Sequence, residues 1–482
     1  MSASMLCIRC FDVQRPSLLL LSIVALQANL LGQSSLVNVS HLHHLTERIA
    51  YAGDSVEIVH VYANYPTYEW VDAKESGPEG IACVDDAARA AVLYLCHYES
   101  TRSPESITRA RLLLKFVMHM QADDGQFYNF IFADRTINTM GQTSYKSFGW
   151  WAARGVWCMA LGARVLRPVD SAFAAELARR VERTFPHIEH LLARYDSVRI
   201  VGGFRVPQWL LYESAADATS ELLLGLNEYY AATRDQRVRR YIELLAEGLM
   251  IMQDGTASAY PFGLHRSWQT VWHAWGNCQT QALAHAGRLL GDNAMIASAE
   301  REAIGWYSRV LIDGMLKEVD VSNPASTTRF EQIAYGIRPM TVGLLRLYEA
   351  THKREYRVMA ALAASWLFGN NVLRRQMYDP HTGRCFDGLT DSATVNKNSG
   401  AESTIEALLT LVELERFPET RRYLSFKNVH QGRTSRFIYG VFEDPTKHEL
   451  TLVLDVQRSN VTVLEGRHSR AFRQRYRSQD DR

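Results

Sequence analysis

A repeat constrains the fold of this chain more than any other feature of its sequence. A polar, glycine-bearing loop followed by a helix rich in small residues recurs about every 60 to 70 residues. In the copy at residues 395–416, Ile405, Leu408 and Val412 follow the loop at the spacing of one helix face. This copy predicts a helix with one carboxylate, Glu402, at its start.

Five further copies of the repeat lie upstream, at residues 79–100, 147–166, 211–233, 274–292 and 333–351. More charged amphipathic segments alternate with them, at residues 107–121, 174–195, 237–253, 294–311 and 354–369, with a weaker one at 44–56. Small residues permit close packing and a charged stripe faces water, so we expect an inner and an outer ring of helices. Six such hairpins that close on themselves make an all-α (α/α)6 toroid.

The repeat also indicates the domain organisation. It runs without interruption through most of the chain, so we expect one large toroid domain at residues 35–420. Residues 57–79 are rich in β-branched and aromatic residues and are predicted to be extended and to cover one mouth of the toroid. Two alternating segments at 436–445 and 448–457 predict a short β-hairpin, which we place with a basic tail in residues 421–482.

The N-terminus has the order of a secretory signal peptide, which we place at residues 1–34. Arg9 and Arg15 precede a short apolar run at residues 16–32, which small and polar residues follow. The run is slightly short for a spanning helix, so an uncleaved anchor is the less favoured alternative. We therefore expect a secreted, periplasmic or cell-envelope protein, without stable membrane insertion after removal of the signal.

Charge and cysteine usage exclude several classes of function. The formal net charge is +1, from 53 basic and 52 acidic residues, and no basic block suggests a nucleic-acid partner. The cysteines after the signal peptide have no close spacing, so we expect neither a zinc site nor a disulfide framework. No glycine-rich phosphate loop is present. The sequence therefore predicts no metal and no cofactor.

Carboxylates and aromatic residues are concentrated in the loops that precede the inner helices. Aromatic faces can stack on the C–H faces of a sugar, and polar groups can bind its hydroxyls. Cleavage of a glycosidic bond needs one protonated carboxyl and one carboxylate, for which the candidates are Glu402 with Asp85 or Asp86. The candidates for substrate binding are Asp124, Trp150, Trp151, Trp209, Glu213, Trp272, His273, Trp275, Tyr335, Arg338, Asp387, Asn396 and Asn398.

Each candidate also has a structural alternative. Glu402 lies where a carboxylate stabilises a helix N-terminus, and one of Asp85 and Asp86 could cap a helix while the other pairs with Arg89. Only one of these two aspartates is expected to be catalytic. Asp124 lies in an Asp–Gly turn, where aspartate favours the turn itself. Tryptophans of this kind are more often part of a core than of a sugar platform.

Two motifs carry a resemblance to a known group. CVDDAARA at residues 83–90 and NKNSGAEST at 396–404 resemble the DD-x-AR and N-x-N-x-GAEST loops of bacterial six-hairpin glycosidase-like proteins that are associated with glycosyltransferases. A weaker similarity is to inverting cellulases of the same fold, which implies Asp85 or Asp86 as base and Glu402 as acid. The histidine–arginine motif of those cellulases is missing upstream of Glu402.

These observations favour an inverting glycoside hydrolase that acts on an oligo- or polysaccharide. Two alternatives stay open. A sugar epimerase or polysaccharide lyase would use His273 and Tyr335 for proton transfer, and Arg338 would suit a uronate carboxylate. A non-catalytic glycan-binding partner of a glycosyltransferase would keep the aromatic residues but leave the carboxylates in structural roles.

Overall fold

The computed structural model describes residues 35–477, and the chain from Val37 onward forms one compact unit. The predicted signal peptide at residues 1–34 lies outside the described residues. Among the helices of the described part, none has the length and apolarity needed to cross a membrane.

Six helices form a closed inner ring, and we number them inner helix 1 to 6 in chain order. Their bounds are Val84–Thr101, Trp150–Leu166, Ala216–Thr233, Gln279–Leu290, Ile337–Thr351 and Ala401–Glu415. Each packs against the next, and inner helix 6 packs against inner helix 1. The predicted (α/α)6 toroid is therefore confirmed, with all six predicted inner helices in their expected places.

Small residues let the inner helices approach one another closely. At Gly225 in inner helix 3, an added Cβ atom would lie 2.8 Å from the backbone Cα atom of Trp157 in inner helix 2. A glycine inside a helix is intrinsically unfavourable, so its presence here reflects the crossing of two helix backbones. The abundance of alanine and glycine in the repeats thus has a packing cause.

The outer helices carry the charged stripes. Their bounds are Pro104–His119, Ser171–Glu182 with Phe185–Leu192, Gln236–Ile251, Asn293–Glu302 with Ser308–Asp313 after a π turn, and Arg354–Ala364. Four of these segments begin with a side-chain cap, from Ser103, Asp170, Asp235 and Asp292. The segment predicted as one helix at 174–195 is broken just before Pro186, because proline lacks the N–H that would continue the helix.

The prediction of a weak outer helix at residues 44–56 is wrong. A short helix, Ser40–Leu45, is followed by a β-hairpin of strands Thr46–Tyr51 and Asp54–Val59. Its two turn residues, Ala52 and Gly53, both have positive φ, at 49° and 85°, which suits a tight hairpin turn and ends any helix. At the other end of the domain, a 3₁₀ helix at Pro418–Ser425 follows inner helix 6 and packs against the last outer helix.

Short strand pairs occupy the loops between hairpins, and together they line the end of the toroid where the inner helices begin. They are Tyr62–Asn64 with Glu69–Val71, Ala82–Cys83 with Phe130–Ile131, Val198–Val201 with Phe204–Pro207, Val271–His273 with Glu318–Asp320, Gln332–Ile333 with Gly388–Leu389 and Val395–Asn396, and Tyr378–Asp379 with Arg384–Cys385. The extended structure expected in residues 57–79 is present. Its backbone accepts hydrogen bonds from the N–H groups of Ser399 and Ala401, so this segment borders the loop before inner helix 6.

The C-terminal part is larger than the predicted hairpin. The two expected strands, Phe437–Glu443 and Glu449–Asp455, are flanked by Lys427–Arg433 and Asn460–Glu465 in a four-stranded antiparallel sheet. Every residue of Glu449–Asp455 is buried, which requires neighbours on both sides. The basic tail begins with a helix, Arg467–Arg477, which contacts two of these strands, and the sheet itself packs on the Ser308–Asp313 helix.

Replacing Gly225 by alanine is predicted to lower the free energy of unfolding by about 1 to 2 kcal/mol, although alanine is the better helix former. The added methyl group would press on the backbone of Trp157, which cannot move aside. Thermal and urea unfolding measure the effect. Gly162→Ala is the matched control, because its Cβ atom would meet only the side-chain ends of Leu114 and Leu177. Equal losses in the two variants would contradict the argument.

Candidate active site at the mouth of the toroid

The candidate catalytic residues meet at the mouth where the inner helices begin. Asp85 and Asp86 lie in the first turn of inner helix 1, Trp150 begins inner helix 2, and Glu402 lies in the first turn of inner helix 6. Inner helices 1 and 6 are neighbours in the closed ring. Residues more than 300 positions apart in the sequence therefore share one site.

A second carboxylate, Asp387, holds the end of the loop that leads into inner helix 6. Asp387 Oδ1 accepts hydrogen bonds from the backbone N–H of Gly400 at 3.0 Å and from Ser403 Oγ at 2.6 Å. Glu402 turns toward Arg89 instead, and its side chain keeps 45% of its surface exposed to the mouth. Its carboxyl group is thus held from one side and open to solvent on the other.

Arg89 is the centre of the site and is almost fully buried. Its Nη1 donates to Glu402 at 3.2 Å and to Glu406 at 3.1 Å. Its Nη2 donates to Asp86 at 2.8 Å and to Glu402 at 3.3 Å, and its Nε donates to the backbone oxygen of Asp85 at 3.1 Å. All five N–H groups of this guanidinium are therefore in use.

A second arginine extends this arrangement across the channel. Arg338 Nε donates to Glu406, and its Nη2 donates to Glu221 at 3.1 Å. Tyr335 donates its O–H to Glu221 at 3.1 Å and accepts a hydrogen bond from Arg154 Nη2 at 2.7 Å. Arg338 and Tyr335, proposed from the sequence as substrate-binding residues, are buried members of this network.

We call the connected set the central network. Its charged members are the arginines Arg89, Arg154 and Arg338 and the carboxylates Asp85, Asp86, Glu221, Glu402 and Glu406. If every carboxyl group were ionised, the negative charges would outnumber the positive ones. Because like charges in a site of low dielectric disfavour ionisation, the central network favours retention of a proton on one of its carboxyl groups.

The pKa values of the carboxyl groups in the central network are shifted in different directions. Burial raises the pKa of Asp86, Glu402 and Glu406 above the ordinary range, in spite of their arginine partners. Burial is the largest single effect on Glu221 and acts in the same direction, but Arg338, Arg154 and Arg89 together outweigh it and lower the pKa of that group. Of the three raised groups, only Glu402 is substantially open to solvent. It is therefore the group best placed to deliver a proton to a ligand.

The two neighbouring aspartates have different environments. Asp86 is 4% exposed, bound by Arg89 and by the Sγ–H of Cys83 at 3.2 Å. Arg89 Nη2 binds Asp86 Oδ1 at 2.8 Å and Glu402 Oε2 at 3.3 Å, so this one donor holds both carboxylates on the same side of Arg89. Asp86 is thus the poorer partner for Glu402.

Asp85 is more accessible, with 19% of its side chain exposed. Its Oδ2 accepts a hydrogen bond from Asn129 Nδ2 at 3.2 Å, and its Oδ1 lies 2.8 Å from Arg154 Nη1. The contact between Arg154 and Asp85 joins inner helix 2 to inner helix 1 within the central network. Asp85 is consequently both oriented and reachable from the mouth.

Aromatic side chains form one wall of the mouth. The rings of Trp150 and Trp275 lie 5.8 Å apart and are both partly exposed. Tyr212, 43% exposed, receives the backbone N–H of Trp150 on its hydroxyl at 3.1 Å. A Cβ atom at Gly149 would lie 1.8 Å from this hydroxyl, so only glycine permits the contact. The glycine before inner helix 2 therefore lets Tyr212 pack against the start of that helix, beside Trp150.

His273 lies behind the aromatic wall and is buried. Its ring stacks on Trp275 with centroids 3.9 Å apart. Its Nε2 lies 2.9 Å from a carboxylate oxygen of Asp217, and its Nδ1 lies 2.7 Å from the backbone oxygen of Trp275. Both ring nitrogens are occupied by acceptors, so neither is directed at the mouth.

Three tryptophans suggested as sugar platforms are core residues. Trp151 and Trp209 are buried and donate their indole N–H groups to the backbone oxygens of Phe127 and Leu244. Trp272 is buried against Trp306. Sequence placement near a loop does not distinguish a core indole from an exposed one, because both occur at helix starts.

Other candidates lie in loops with structural partners. Asp124 forms its turn with Gln126 and binds Lys146 at 2.6 Å, and Glu213 pairs with Arg194 at the surface. Asn396 and Asn398 accept hydrogen bonds from backbone N–H groups and shape the loop before inner helix 6.

The sequence interpretation missed the buried half of the central network. Arg154, Glu221 and Glu406 lie inside the inner helices, one or more turns beyond the loops. A signal for them exists, because an ionisable residue within an otherwise small and apolar helix needs a buried partner. Within residues 35–477, no group of three or more His, Cys, Asp or Glu side chains is placed to hold a metal ion.

Comparison with known proteins supports the fold. No family model matches the sequence, and no curated protein matches it significantly. Solved structures with a similar fold include a sugar epimerase from a ruminal bacterium (12% identity, TM-score 0.56, covering 82% of this chain and 99% of that one). Cellobiose 2-epimerase from Spirochaeta thermophila is also similar, with 13% identity and a TM-score of 0.56, covering 84% of this chain and 99% of that one. D-mannose isomerase has 11% identity and a TM-score of 0.51, covering 74% of this chain and 91% of that one. Likeness at these identities shows the shared toroid fold.

Glu402→Gln is predicted to stabilise the protein increasingly as pH rises from 4 to 8. The folded-state pKa of Glu402 is raised, so the wild type loses stability as pH rises through that pKa, whereas glutamine does not ionise. The gain should stay below about 1 kcal/mol, since the side chain is partly exposed and screened.

Glu221→Gln serves as a control of opposite sign. The pKa of Glu221 is lowered, so its contribution to stability is present above the ordinary glutamate pKa and is lost as pH falls through the folded-state pKa. Its replacement at neutral pH should destabilise the protein, by up to about 3 to 5 kcal/mol, because Arg338 then keeps only Glu406 as a buried carboxylate partner. Thermal unfolding across pH measures both variants. A Glu402→Gln advantage that shrinks toward pH 8 would refute the assignment.

Proposed function

We propose that the protein is a glycoside hydrolase that cleaves an oligo- or polysaccharide at the mouth of the toroid. The observation that carries this proposal is the state of Glu402. It combines a raised pKa with a side chain that is 45% exposed to the mouth. A carboxyl group with a raised pKa holds its proton to higher pH than an ordinary glutamate, and its contact with solvent lets it reach a ligand, as a general acid requires.

The proposed reaction uses Glu402 and Asp85 as its two carboxyl groups. Glu402 gives its proton to the glycosidic oxygen as the bond to the anomeric carbon breaks. A water molecule attacks that carbon from the opposite face and loses its proton to Asp85, which gives an inverted product. Asp85 is preferred to Asp86 because it is more exposed and because Asp86 is enclosed and bound by the same Arg89 Nη2 that binds Glu402.

The aromatic wall supports a carbohydrate substrate. Trp150, Trp275 and Tyr212 present ring surface beside the carboxyl groups, an arrangement that suits the C–H faces of a sugar. Proteins with a similar fold and TM-scores above 0.5 carry sugar epimerase or isomerase names. Those names are consistent with a sugar ligand, although they do not distinguish hydrolysis from isomerisation.

A sugar epimerase is the second candidate, and the His273–Asp217 pair favours it. Such a pair could remove a proton from a sugar carbon if ligand binding freed one nitrogen of His273. The resemblance to glycosyltransferase-associated proteins keeps a non-catalytic glycan-binding role as a further alternative. These functions differ in the products they give.

The test is release of reducing sugar from a panel of neutral and acidic glycans. Glu402→Gln and Asp85→Asn are each expected to reduce kcat by roughly 10²- to 10⁴-fold, because neither amide can transfer the required proton. Glu105→Gln, on the exposed outer surface, is the matched control and should leave the rate unchanged. The wild-type rate should fall at the alkaline side as pH rises through the raised pKa of Glu402, which must be protonated to act.

Two results would contradict the proposal. The first is release of reducing sugar that Glu402→Gln does not affect, which would reject Glu402 as the acid. The second is the absence of new reducing ends together with incorporation of deuterium from D₂O into a recovered sugar, which would indicate an epimerase. Binding of a glycan without either reaction would support the non-catalytic role.

We further propose that the protein is exported, on the basis of the signal-like residues 1–34. Expression of the full chain should give a mature protein whose N-terminus, determined by sequencing, lies close to residue 35 and which is recovered outside the cytoplasm. Recovery of the intact N-terminus in the cytoplasm would contradict this proposal.

A further inference from the structure

The central channel continues behind the candidate active site as a second cavity. Its volume is about 820 Å³, and we call it the back chamber. It is lined by residues of all six inner helices, mostly from their C-terminal halves, and its lining also includes Trp157, Gln281 and Arg338 from nearer the helix starts. Arg338 also belongs to the central network, so that network separates the mouth from the back chamber.

An apolar belt surrounds the back chamber next to the central network. Five of the six inner helices contribute one aliphatic residue to it: Val92, Leu161, Leu224, Val342 and Leu409. Inner helix 4 contributes His285 and Leu289 to the lining. The imidazole of His285 is therefore a polar group on a wall that also carries these aliphatic side chains.

A ring of charges surrounds the outer opening of the chamber. One charged residue from the end of each inner helix, in order, is Glu99, Arg164, Glu228, Arg288, Glu349 and Arg416, and their signs alternate. Arg346, Glu413 and Glu415 add further charge of both signs to the lining. Arg164 binds Glu99 at 2.8 Å and Glu228 at 2.6 Å, and Arg416 binds Glu349 at 2.6 Å. Most of the charge at this opening is thus already neutralised within the protein.

Two side chains on inner helix 4 retain hydrogen-bonding capacity. Among residues 35–477, the ring of His285 has no hydrogen-bond partner, and burial lowers its pKa, which favours the neutral imidazole. The guanidinium of Arg288 is 51% exposed, and its recorded ion pair, with Glu349, is long at 3.9 Å. A neutral imidazole offers one donor and one acceptor, and the guanidinium offers several donors.

From this arrangement we propose that the back chamber is a second binding site, for an uncharged polyol of the size of a mono- or disaccharide. The volume lies in the range of small-molecule sites. The aliphatic belt suits the C–H face of a sugar, while His285 and Arg288 can bind its hydroxyls. The lining contains five arginines and five glutamates, so its formal charges cancel and it offers no net attraction to a charged ligand. This inference does not depend on the reaction proposed for the mouth.

The test uses a full-length variant in which the mouth is disabled, Trp150→Ala with Glu402→Gln. Glucose, mannose, cellobiose and mannobiose are titrated into it separately by isothermal calorimetry. At least one of these sugars is expected to bind with a stoichiometry of one. Ala231→Trp, which fills the chamber from a partly exposed position on inner helix 3, should weaken that binding at least tenfold.

Two further variants make the experiment decisive. His285→Ala removes the belt imidazole and should also weaken binding at least tenfold, which covers the case that Ala231→Trp fails to fold. Ala172→Trp, at an exposed position of an outer helix, is the matched control and should bind like the parent. Absence of binding by all four sugars, or binding that neither chamber variant changes, would overturn the proposal. Tighter binding of glucose 6-phosphate than of glucose would contradict the proposal that the ligand is uncharged.

Discussion

The fold depends on the burial of Arg89. A guanidinium without partners in the interior costs several kcal/mol, and all five N–H groups of this one are satisfied only when inner helices 1 and 6 are side by side. Two further arginines are also satisfied only when neighbouring helices meet. Arg154 of inner helix 2 pairs with Asp85 of inner helix 1, and Arg338 of inner helix 5 pairs with Glu221 of inner helix 3 and Glu406 of inner helix 6. The hydrophobic surface drives the helices together, and the central network then specifies which faces meet. A polar core of this kind disfavours alternative registers of the ring, because each would leave a charge unpaired.

The same contacts give the candidate site its chemistry. Asp387 holds the loop end before inner helix 6, and Glu402 extends from the first turn of that helix toward Arg89. Arg89 holds one oxygen of Glu402, and the mouth exposes the remainder of the carboxyl group. The neighbouring residue Asp86 is enclosed, whereas Asp85 is reachable. Two adjacent aspartates therefore acquire different roles from a single turn of helix.

The sequence predicted the fold well because its period and its small residues are local signals. It identified all six inner helices and the loops that carry Glu402 and Asp85. It failed at residues 44–56, where the Ala52–Gly53 turn decides between helix and hairpin. It also could not pair Arg89 with Glu402 and Glu406, since these contacts join positions more than 300 residues apart. The burial of Trp209 and the exposure of Trp150 are likewise set by neighbours from distant segments, which no local pattern reveals.

The closure of the ring by inner helices 1 and 6 has a consequence for biosynthesis. Arg89 is translated 313 residues before Glu402. At ordinary elongation rates, the ribosome needs roughly 15 to 60 seconds to cover that interval. During this time inner helix 1 lacks its neighbour, inner helix 6. Arg89, which is buried in the finished protein, and the aliphatic residues around it stay exposed. Nascent chains of this topology are therefore natural clients of cotranslational chaperones, and a pause in translation late in the message would prolong their dependence on them.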